Sequence, residues 1–437
     1  MRHRVGSVIG VPVAAMLLAT SQAAPAEDLQ AAASDFYVYS LPLLEVARRR
    51  DAFLRTHPAS SFLHARTLAD ENAREVTTPN NDTIYSNAFI DLRNGAVTIS
   101  VSATGRRYFS LALMDAYSNN FAYFGTRATD GRARRVTLVG PGGKAPAGAA
   151  HLVRSPTPWV WALARTLVTA PDDLPAARAV QDQVAITGAA PGPAPAPTPP
   201  RTAPAAELLN AAQRLLRENP PPPADAPILA RFRAAGLLSA FDGSSGRGEA
   251  LAAGFAAARE ASQRARRPGE VVNGWIYPKA DLGNFGTDYA YRAAVAVTGL
   301  AAMGPMEAMY LRSAPDTPNG LFDGARSYRL HFDRDNGPPV DAFWSLSMYE
   351  RTADGGFYFV ANPINRYAFG DRTPGLRRNP DGSLDIWISH ADPGPERRSN
   401  WLPAPAGPFA LSLRAYLPRA ELRDGRWRAP AVEPVAR

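Results

Sequence analysis

The chain has no cysteine among its 437 residues, so it can build no disulfide framework, thiol nucleophile or cysteine-ligated metal site. Lysine is almost absent too, with only Lys144 and Lys279; the other basic residues are arginines. Arginine favours planar, bidentate partners such as carboxylate and phosphate. These arginines are scattered instead of forming a stripe with interleaved aromatics, so nucleic-acid binding is not expected. No Gly-x-Ser-x-Gly occurs, which disfavours a nucleophile-elbow hydrolase, and Gly243-Ser244-Ser245-Gly246 has the wrong spacing. A Gly-x-Gly-x-x-Gly after a strand and a Walker sequence are also missing. Gly140-Pro141-Gly142-Gly143-Lys144 lacks the length and the hydroxyl, so no nucleotide or other cofactor is expected. Beyond His3 the histidines are His57, His64, His151, His331 and His390; none stands at His-x-x-x-His spacing, and no metal is expected.

At 437 residues the chain exceeds what one hydrophobic core usually serves, and 46% hydrophobic with 20% charged residues is ordinary globular composition. The first residues differ from the rest. Arg2 and Arg4 precede an apolar run from Val8 to Thr20, and Ala24-Pro25-Ala26 supplies small residues for cleavage. This pattern predicts a signal peptide cut near Ala26 and a periplasmic or secreted location, and no later run is long and apolar enough for a transmembrane segment. The formal charge is +8, and loss of Arg2 and Arg4 with the leader reduces it by two.

Helical spacing is expected over Asp28 to Thr56, with Leu29, Ala33, Phe36, Tyr37, Leu41 and Leu44 on one face and Pro42 as a kink. From residue 76 the period changes. Alternating or short apolar runs at Ile84–Leu92, Val97–Val101, Arg107–Asp115, Phe121–Arg127, Val136–Val139 and His151–Arg154 are separated by Gly- and Asn-rich turns, which predicts an antiparallel meander. Trp159–Leu167 and Leu174–Ile186 read as helical again. Gly188–Pro204 is mostly Ala, Pro and Gly and reads as extended linker, followed by three helical candidates. Strands recur at Ser327–Phe332, Phe343–Tyr349, Phe357–Val360, Leu384–Ser389 and Phe409–Tyr416. The expected fold is therefore mainly β with helical segments (α+β): two antiparallel β-sandwich-like domains joined by a helical and Pro-rich connecting region. The expected partition is a signal peptide at 1–26, a helical segment at 27–75, a first sandwich at 76–187, the linker and helices at 188–270 and a second sandwich at 271–437.

One local pattern occurs twice. Tyr108-Phe109-Ser110-Leu111-Ala112-Leu113-Met114-Asp115 and Phe343-Trp344-Ser345-Leu346-Ser347-Met348-Tyr349-Glu350 share the order aromatic, aromatic, Ser, Leu, small, aliphatic, variable, acidic. A duplicated sheet topology would produce it.

The densest special chemistry is Thr78-Pro79-Asn80-Asn81-Asp82-Thr83-Ile84-Tyr85-Ser86, a polar turn that runs straight into an alternating strand. Asp82 could orient a ligand hydroxyl, act as a base, pair with Arg107 or Arg127, or cap the turn. Tyr117, Asn119, Asn120 and Tyr123 put aromatic rings beside amides at a strand end, the combination that flat sugar faces bind, although such rings also pack in sandwich cores. His331 and His390 lie at strands with Asp333 and Asp392 near, where a general base could be assembled.

The ordered series Thr78 to Ser86, Arg107-Tyr108-Phe109-Ser110-Leu111, Asp115-Ala116-Tyr117, Asn119-Asn120-Phe121, Gly125-Thr126-Arg127 and Gly140-Pro141-Gly142 resembles the bacterial domain-of-unknown-function family numbered 1254. Asn273-Gly274-Trp275, Gly286, Asp288-Tyr289, Arg292-Ala293, Phe343-Trp344-Ser345-Leu346, Asn400-Trp401-Leu402-Pro403, Arg414-Ala415-Tyr416 and Pro418 resemble its usual partner, the family numbered 1214. The resemblance implies two β-sandwich-like domains joined by helices, commonly exported and often homo-oligomeric; it implies no activity.

The primary expectation is an exported protein that binds a polar small molecule or saccharide in a cleft lined by Asn80, Asn81, Asp82, Tyr85, Arg107, Tyr117, Asn119, Asn120, Tyr123 and Arg127. A second reading is a hydrolase or lyase using Asp82 and Tyr85 with a histidine from elsewhere, His331 or His390. A third is an assembly protein whose aromatics serve subunit contacts.

Overall fold

A computed structural model describes residues 26–75, 77–149, 151–244, 246–264, 269–353 and 355–435. Of the expected leader, residues 1–26, residues 1–25 lie outside the described residues. Helix α1 (Ala26–Leu54) follows the predicted spacing and runs on through Pro42. Its apolar face, with Leu29, Ala33, Phe36 and Leu44, packs against α2 (Ala205–Glu218), α3 (Ala226–Ala234), α4 (Arg247–Arg264) and α5 (Tyr289–Thr298) in one continuous helical core. Among the described residues no helix is long and apolar enough to cross a membrane.

The Pro-rich stretch is more ordered than its composition predicts. Pro199 O accepts from Arg48 Nε at 2.7 Å, Thr198 N donates to Asp51 at 2.7 Å, and Arg201 grips Glu45 with two bonds of 2.8 Å. Proline carbonyls here have no ladder partner, so arginines on a neighbouring helix can take them.

The main strands of the first half are, in chain order, β1 (Thr83–Asp91), β2 (Val97–Val101), β3 (Phe109–Met114), β4 (Asn120–Gly125), β5 (Arg134–Val139), β6 (Leu152–Arg154), β7 (Trp159–Leu167) and β8 (Ala185–Gly188). Those of the second half are β9 (Ala308–Ser313), β10 (Ser327–Phe332), β11 (Val340–Arg351), β12 (Ala368–Gly370), β13 (Leu384–Ser389), β14 (Trp401–Pro403), β15 (Pro408–Pro418) and β16 (Val432–Val435). The described residues form four sheets. One contains β1-β7-β3-β4 side by side and another β6-β5-β2-β8. In the second half β9-β15-β11-β12 and β14-β13-β10-β16 adopt the same orders. Even the exceptional parallel pairs coincide, β5 with β6 and β13 with β14. The duplicated sequence pattern thus marks a duplicated topology, as two sandwiches.

Each sandwich buries its own apolar layer. Ala88, Ile90, Ile99, Leu111, Leu138 and Val160 fill the first, and Leu311, Leu330, Leu346, Ile386, Leu402 and Leu413 the second. At about 25 cal/mol per Å² of apolar surface, these layers supply the main driving force for each half. The β1 sheet and the β9 sheet also face each other, through Tyr108, Leu167, Met303, Ala308, Phe343 and Tyr416.

The run Trp159–Leu167, expected to be helical, is the central strand β7, with every residue buried. Covered on one face by the sandwich core and on the other by the second half and α1, it carries no polar alternation to reveal its period. Strand β9 was absent from the expected strands; it follows the helix α5, which ends at Thr298.

Candidate functional site

The pairing register places Tyr85, Arg165, Ser110 and Gly125 in one row across β1, β7, β3 and β4. The same register places Tyr310, Arg414, Ser345 and Gly370 across β9, β15, β11 and β12. Tyr, Arg, Ser and Gly therefore recur in the same order in both halves. Side chains alternate along a strand, so residues flanking Tyr85 and Arg165 point into the sandwich while these two point toward the second half. The glycines have a steric cause. A Cβ on Gly125 would stand 2.1 Å from Phe109 O, and one on Gly370 would stand 2.2 Å from Trp344 O; Gly125 also has φ +129°.

Two further correspondences cross the interface. Three residues before each row tyrosine is an acid, Asp82 and Glu307, and two residues after each row glycine is an arginine, Arg127 and Arg372. Arg127 Nε donates to Glu307 at 2.7 Å, and Arg372 Nη2 donates to Asp82 at 3.1 Å. Each half sends its arginine to the acid of the other. Tyr108 Oη adds a bond of 3.1 Å to Glu307, and Ser345 Oγ one of 2.5 Å to Asp82. Asp82, for which Arg107 and Arg127 were the expected partners, thus pairs with Arg372, while Arg107 holds Asp173 through bonds of 2.5 and 2.6 Å.

The turn before β1 is built as its residue types require. Thr78 lies at φ +53°, and Asn80 Oδ1 accepts from the backbone N–H of Asp82 at 2.8 Å, an Asx turn. The second half clamps it. Arg414 Nη2 donates to Thr78 O and Pro79 O at 3.0 and 3.1 Å, Arg414 Nη1 donates to Ser347 Oγ, and Tyr349 Oη donates to Pro79 O at 2.6 Å. The Asn80 amide reaches Thr83 Oγ1, Tyr85 Oη and Tyr416 Oη at 3.0, 3.1 and 2.9 Å.

Arg165 is placed like Arg414 but bonded differently. It is 5% exposed; Nη2 donates to Ala301 O at 3.0 Å, while Nε and Nη1 have no acceptor among the described residues. Its guanidinium carbon lies 5.3 Å from the Tyr85 ring centre. Burial opposes ionisation of the Tyr85 phenol, but Arg165, the Asn80 hydrogen bond and Arg414 outweigh it and hold the phenol below its ordinary range. Tyr310 and Tyr416 shift upward, pushed first by burial. Tyr85 and Tyr310 are half-buried, on strands of the two sheets that face each other.

Of the residues expected to line a cleft, Asn80, Asp82, Tyr85, Tyr123 and Arg127 meet in this layer. Tyr123 Oη accepts from Gly304 N at 2.9 Å, and burial pushes its phenol up to about 12. Asn120 lies at the margin, its Nδ2 donating to Ala302 O at 2.9 Å. Asn81 donates to Ala69 O, away from the layer. Tyr117 Oη donates to Asn219 O at 2.7 Å under the helical core, where Arg292 is ringed by Tyr39, Tyr117 and Tyr289 at 5.2 to 5.5 Å. Asn119 is held by Asp115 at 3.1 Å. His331 and His390 belong to the outer sheet of the second half. His331 is bonded to Asp385 at 2.7 Å, and exposed His390 to Ala404 O at 3.0 Å. The β9 sheet separates both from Asp82. Among the described residues, no three or more His, Asp or Glu side chains form a metal-binding group.

Arg165, Tyr310, Arg372 and Glu307 are the layer residues that the sequence did not single out, and Arg414 and Tyr416 entered only through the motif Arg414-Ala415-Tyr416. Ser110 and Ser345, aligned in the repeated octapeptide, were the available signal.

The VPA0106 protein from Vibrio parahaemolyticus has a similar solved structure, with 21% identity, a TM-score of 0.71, and 94% of this chain and 100% of that chain covered. An uncharacterized protein from Burkholderia cenocepacia matches with 14% identity, a TM-score of 0.44 and 94% coverage of each chain. No curated protein matches the chain. Residues 59–188 match the family described as Protein of unknown function (DUF1254) and residues 307–420 that described as Protein of unknown function (DUF1214), so the chain carries a region of each family, in that order.

Proposed function

We propose that the chain binds a small polar molecule, a saccharide included, between its two inner sheets. The observation that carries this reading is Arg165, buried with Nε and Nη1 lacking acceptors beside the half-buried Tyr85. Buried donors left unbonded cost roughly 1–3 kcal/mol each, so a site that keeps them open favours an acceptor arriving from outside. The rings of Tyr85 and Tyr310 offer faces for the rest of the molecule. Any acid–base step on it would fall to Tyr85 and Asp82, since among the described residues no histidine stands in the layer.

Differential scanning fluorimetry against sugars, carboxylates and phosphates tests the reading. A concentration-dependent rise in Tm for at least one class, diminished by Arg165→Met, is expected; no rise for any class would sink it. Export and self-association belong to the same proposal. N-terminal sequencing of the mature protein, expected to begin near residue 27, and light scattering of the purified chain, expected to exceed its 46.8 kDa mass, test them.

A further inference from the structure

We propose that the molecule is a small organic acid whose carboxylate sits on Arg165, a deepening that rests on the binding reading above. The argument begins from the charges of the inter-sheet layer. Its guanidiniums are Arg127, Arg165, Arg372 and Arg414, and its carboxylates are Asp82 and Glu307. Glu307 is taken by Arg127 and Asp82 by Arg372, with Asp371 at the rim 3.6 Å from Arg372. Among the described residues no carboxylate bonds Arg165 or Arg414. A buried cation without a counter-ion is unfavourable by several kcal/mol, and protein interiors normally pair it.

The two unpaired arginines differ in what they can accept. Arg414 has directed its donors to Ser347 and to the carbonyls of Thr78 and Pro79, so it is occupied with architecture. Arg165 interacts electrostatically with the phenols of Tyr85, Tyr310, Tyr416 and Tyr108, none of which is a full anion at neutral pH in its ordinary state. One free guanidinium calls for one negative charge. A planar carboxylate fits its fork, whereas a phosphate dianion would bring a second charge into a layer that already holds Asp82 and Glu307.

Tyr85 supports the assignment. Its oxygen receives the Asn80 amide, the Arg165 guanidinium carbon lies 5.3 Å from its ring centre, and among the described residues nothing accepts its own proton. The groups acting on it are donors or cations, Asn80, Arg165 and Arg414, with the neutral phenols of Tyr310 and Tyr416 on the opposite sheet. When the Tyr85 phenol ionises it becomes the counter-ion of Arg165 and competes with an incoming carboxylate. Carboxylate affinity therefore falls as pH rises through the Tyr85 titration, and the fall disappears when the phenol is removed.

The test is calorimetric titration of the full chain with benzoate, inorganic phosphate and glucose at several pH values, alongside Arg165→Met, Arg165→Lys and Tyr85→Phe. Benzoate is expected to bind. Arg165→Met should abolish its binding, Arg165→Lys should weaken it at least tenfold, and Tyr85→Phe should leave an affinity that no longer declines with pH. Circular dichroism identifies any variant that fails to fold, and Arg165→Lys, which keeps the charge, decides the question if Arg165→Met does. Binding of glucose or phosphate without benzoate, lost in the Arg165 variants, overturns the carboxylate assignment and leaves the binding reading standing. Benzoate binding that survives both Arg165 substitutions overturns Arg165 as the seat. No binding of any probe overturns both readings.

Discussion

Arg165 and Arg414 occupy the same register position in two copies of one strand order, yet Arg414 gives both terminal nitrogens to protein oxygens while Arg165 gives only Nη2 and leaves Nε and Nη1 without an acceptor among the described residues. The copies have therefore diverged in use. In the second half the row arginine clamps the turn that opens β1; in the first it stays open beside Tyr85. A duplicated sheet supplied the scaffold twice, and the contacts that joined the halves consumed one copy of the polar row.

The crossed ion pairs should carry much of the adhesion between the halves. Arg372→Met leaves Asp82 buried with only Ser345, and loss of a partner from such a pair costs about 3–5 kcal/mol. Arg127→Met, with Glu307 3% exposed on its side chain, should cost a similar amount. Urea denaturation of the single variants and of Asp82→Asn/Arg372→Met should show partial recovery in the double variant; additive losses would show that the pair contributes nothing.

Gly125→Ala and Gly370→Ala should both destabilise. Each new Cβ would meet a backbone oxygen of the adjacent strand at 2.1 or 2.2 Å, and at Gly125 the left-handed backbone adds strain of roughly 1–3 kcal/mol. Thermal unfolding should rank Gly125→Ala as the more damaging, because only that site combines the clash with φ +129°.

Partial desolvation at the rim of the layer pushes the Asp371 carboxyl up to about 6, against the pull of Arg372. Because the side chain keeps a 34% exposed surface, the effect on stability should be modest. Its folded value lies above the unfolded value of about 3.8, so the folded state holds this proton more tightly. The contribution to stability is full below about pH 4 and is lost as pH rises toward 6. Asp371→Asn should flatten the stability profile between pH 4 and 6; an unchanged slope would refute the assignment.

Asp173 works in the opposite sense. The bidentate hydrogen bonds from Arg107 hold its carboxyl at about 2, with burial opposing them. Stability from this group is present above about pH 4 and is lost as pH falls toward 2. Acid unfolding of Asp173→Asn should lose that part of the transition, and because the pair is partly solvated the effect should be modest.

Where one face of a strand meets an apolar core and the other meets solvent, the sequence shows it: Ser327–Phe332 and Leu384–Ser389 coincide with β10 and β13, and Val97–Val101 with β2. Where both faces are covered the signal fails. Trp159–Leu167 reads as helix because nothing polar alternates along it, and its one charged residue, Arg165, is the one around which the candidate site forms. The Asn80–Tyr85 turn was legible because Asn, Asp and Pro act on their own backbone within a few residues. The partners of Asp82 were not, since Arg372 and Ser345 lie far along the chain.

Local chemistry written in the chain is thus enough for the family pair, the order of the two sandwiches and the polar turn, because periodicity and turn residues act over short stretches. Which charges remain unpaired could be decided only by the fold. Arg127 and Arg372 look alike with Arg165 and Arg414 in the sequence, and only the facing of two sheets gives the first pair their carboxylates and Arg414 its carbonyls. Arg165 is left open at Nε and Nη1 because the strand register sets the Tyr85 phenol beside it and brings no carboxylate to those atoms.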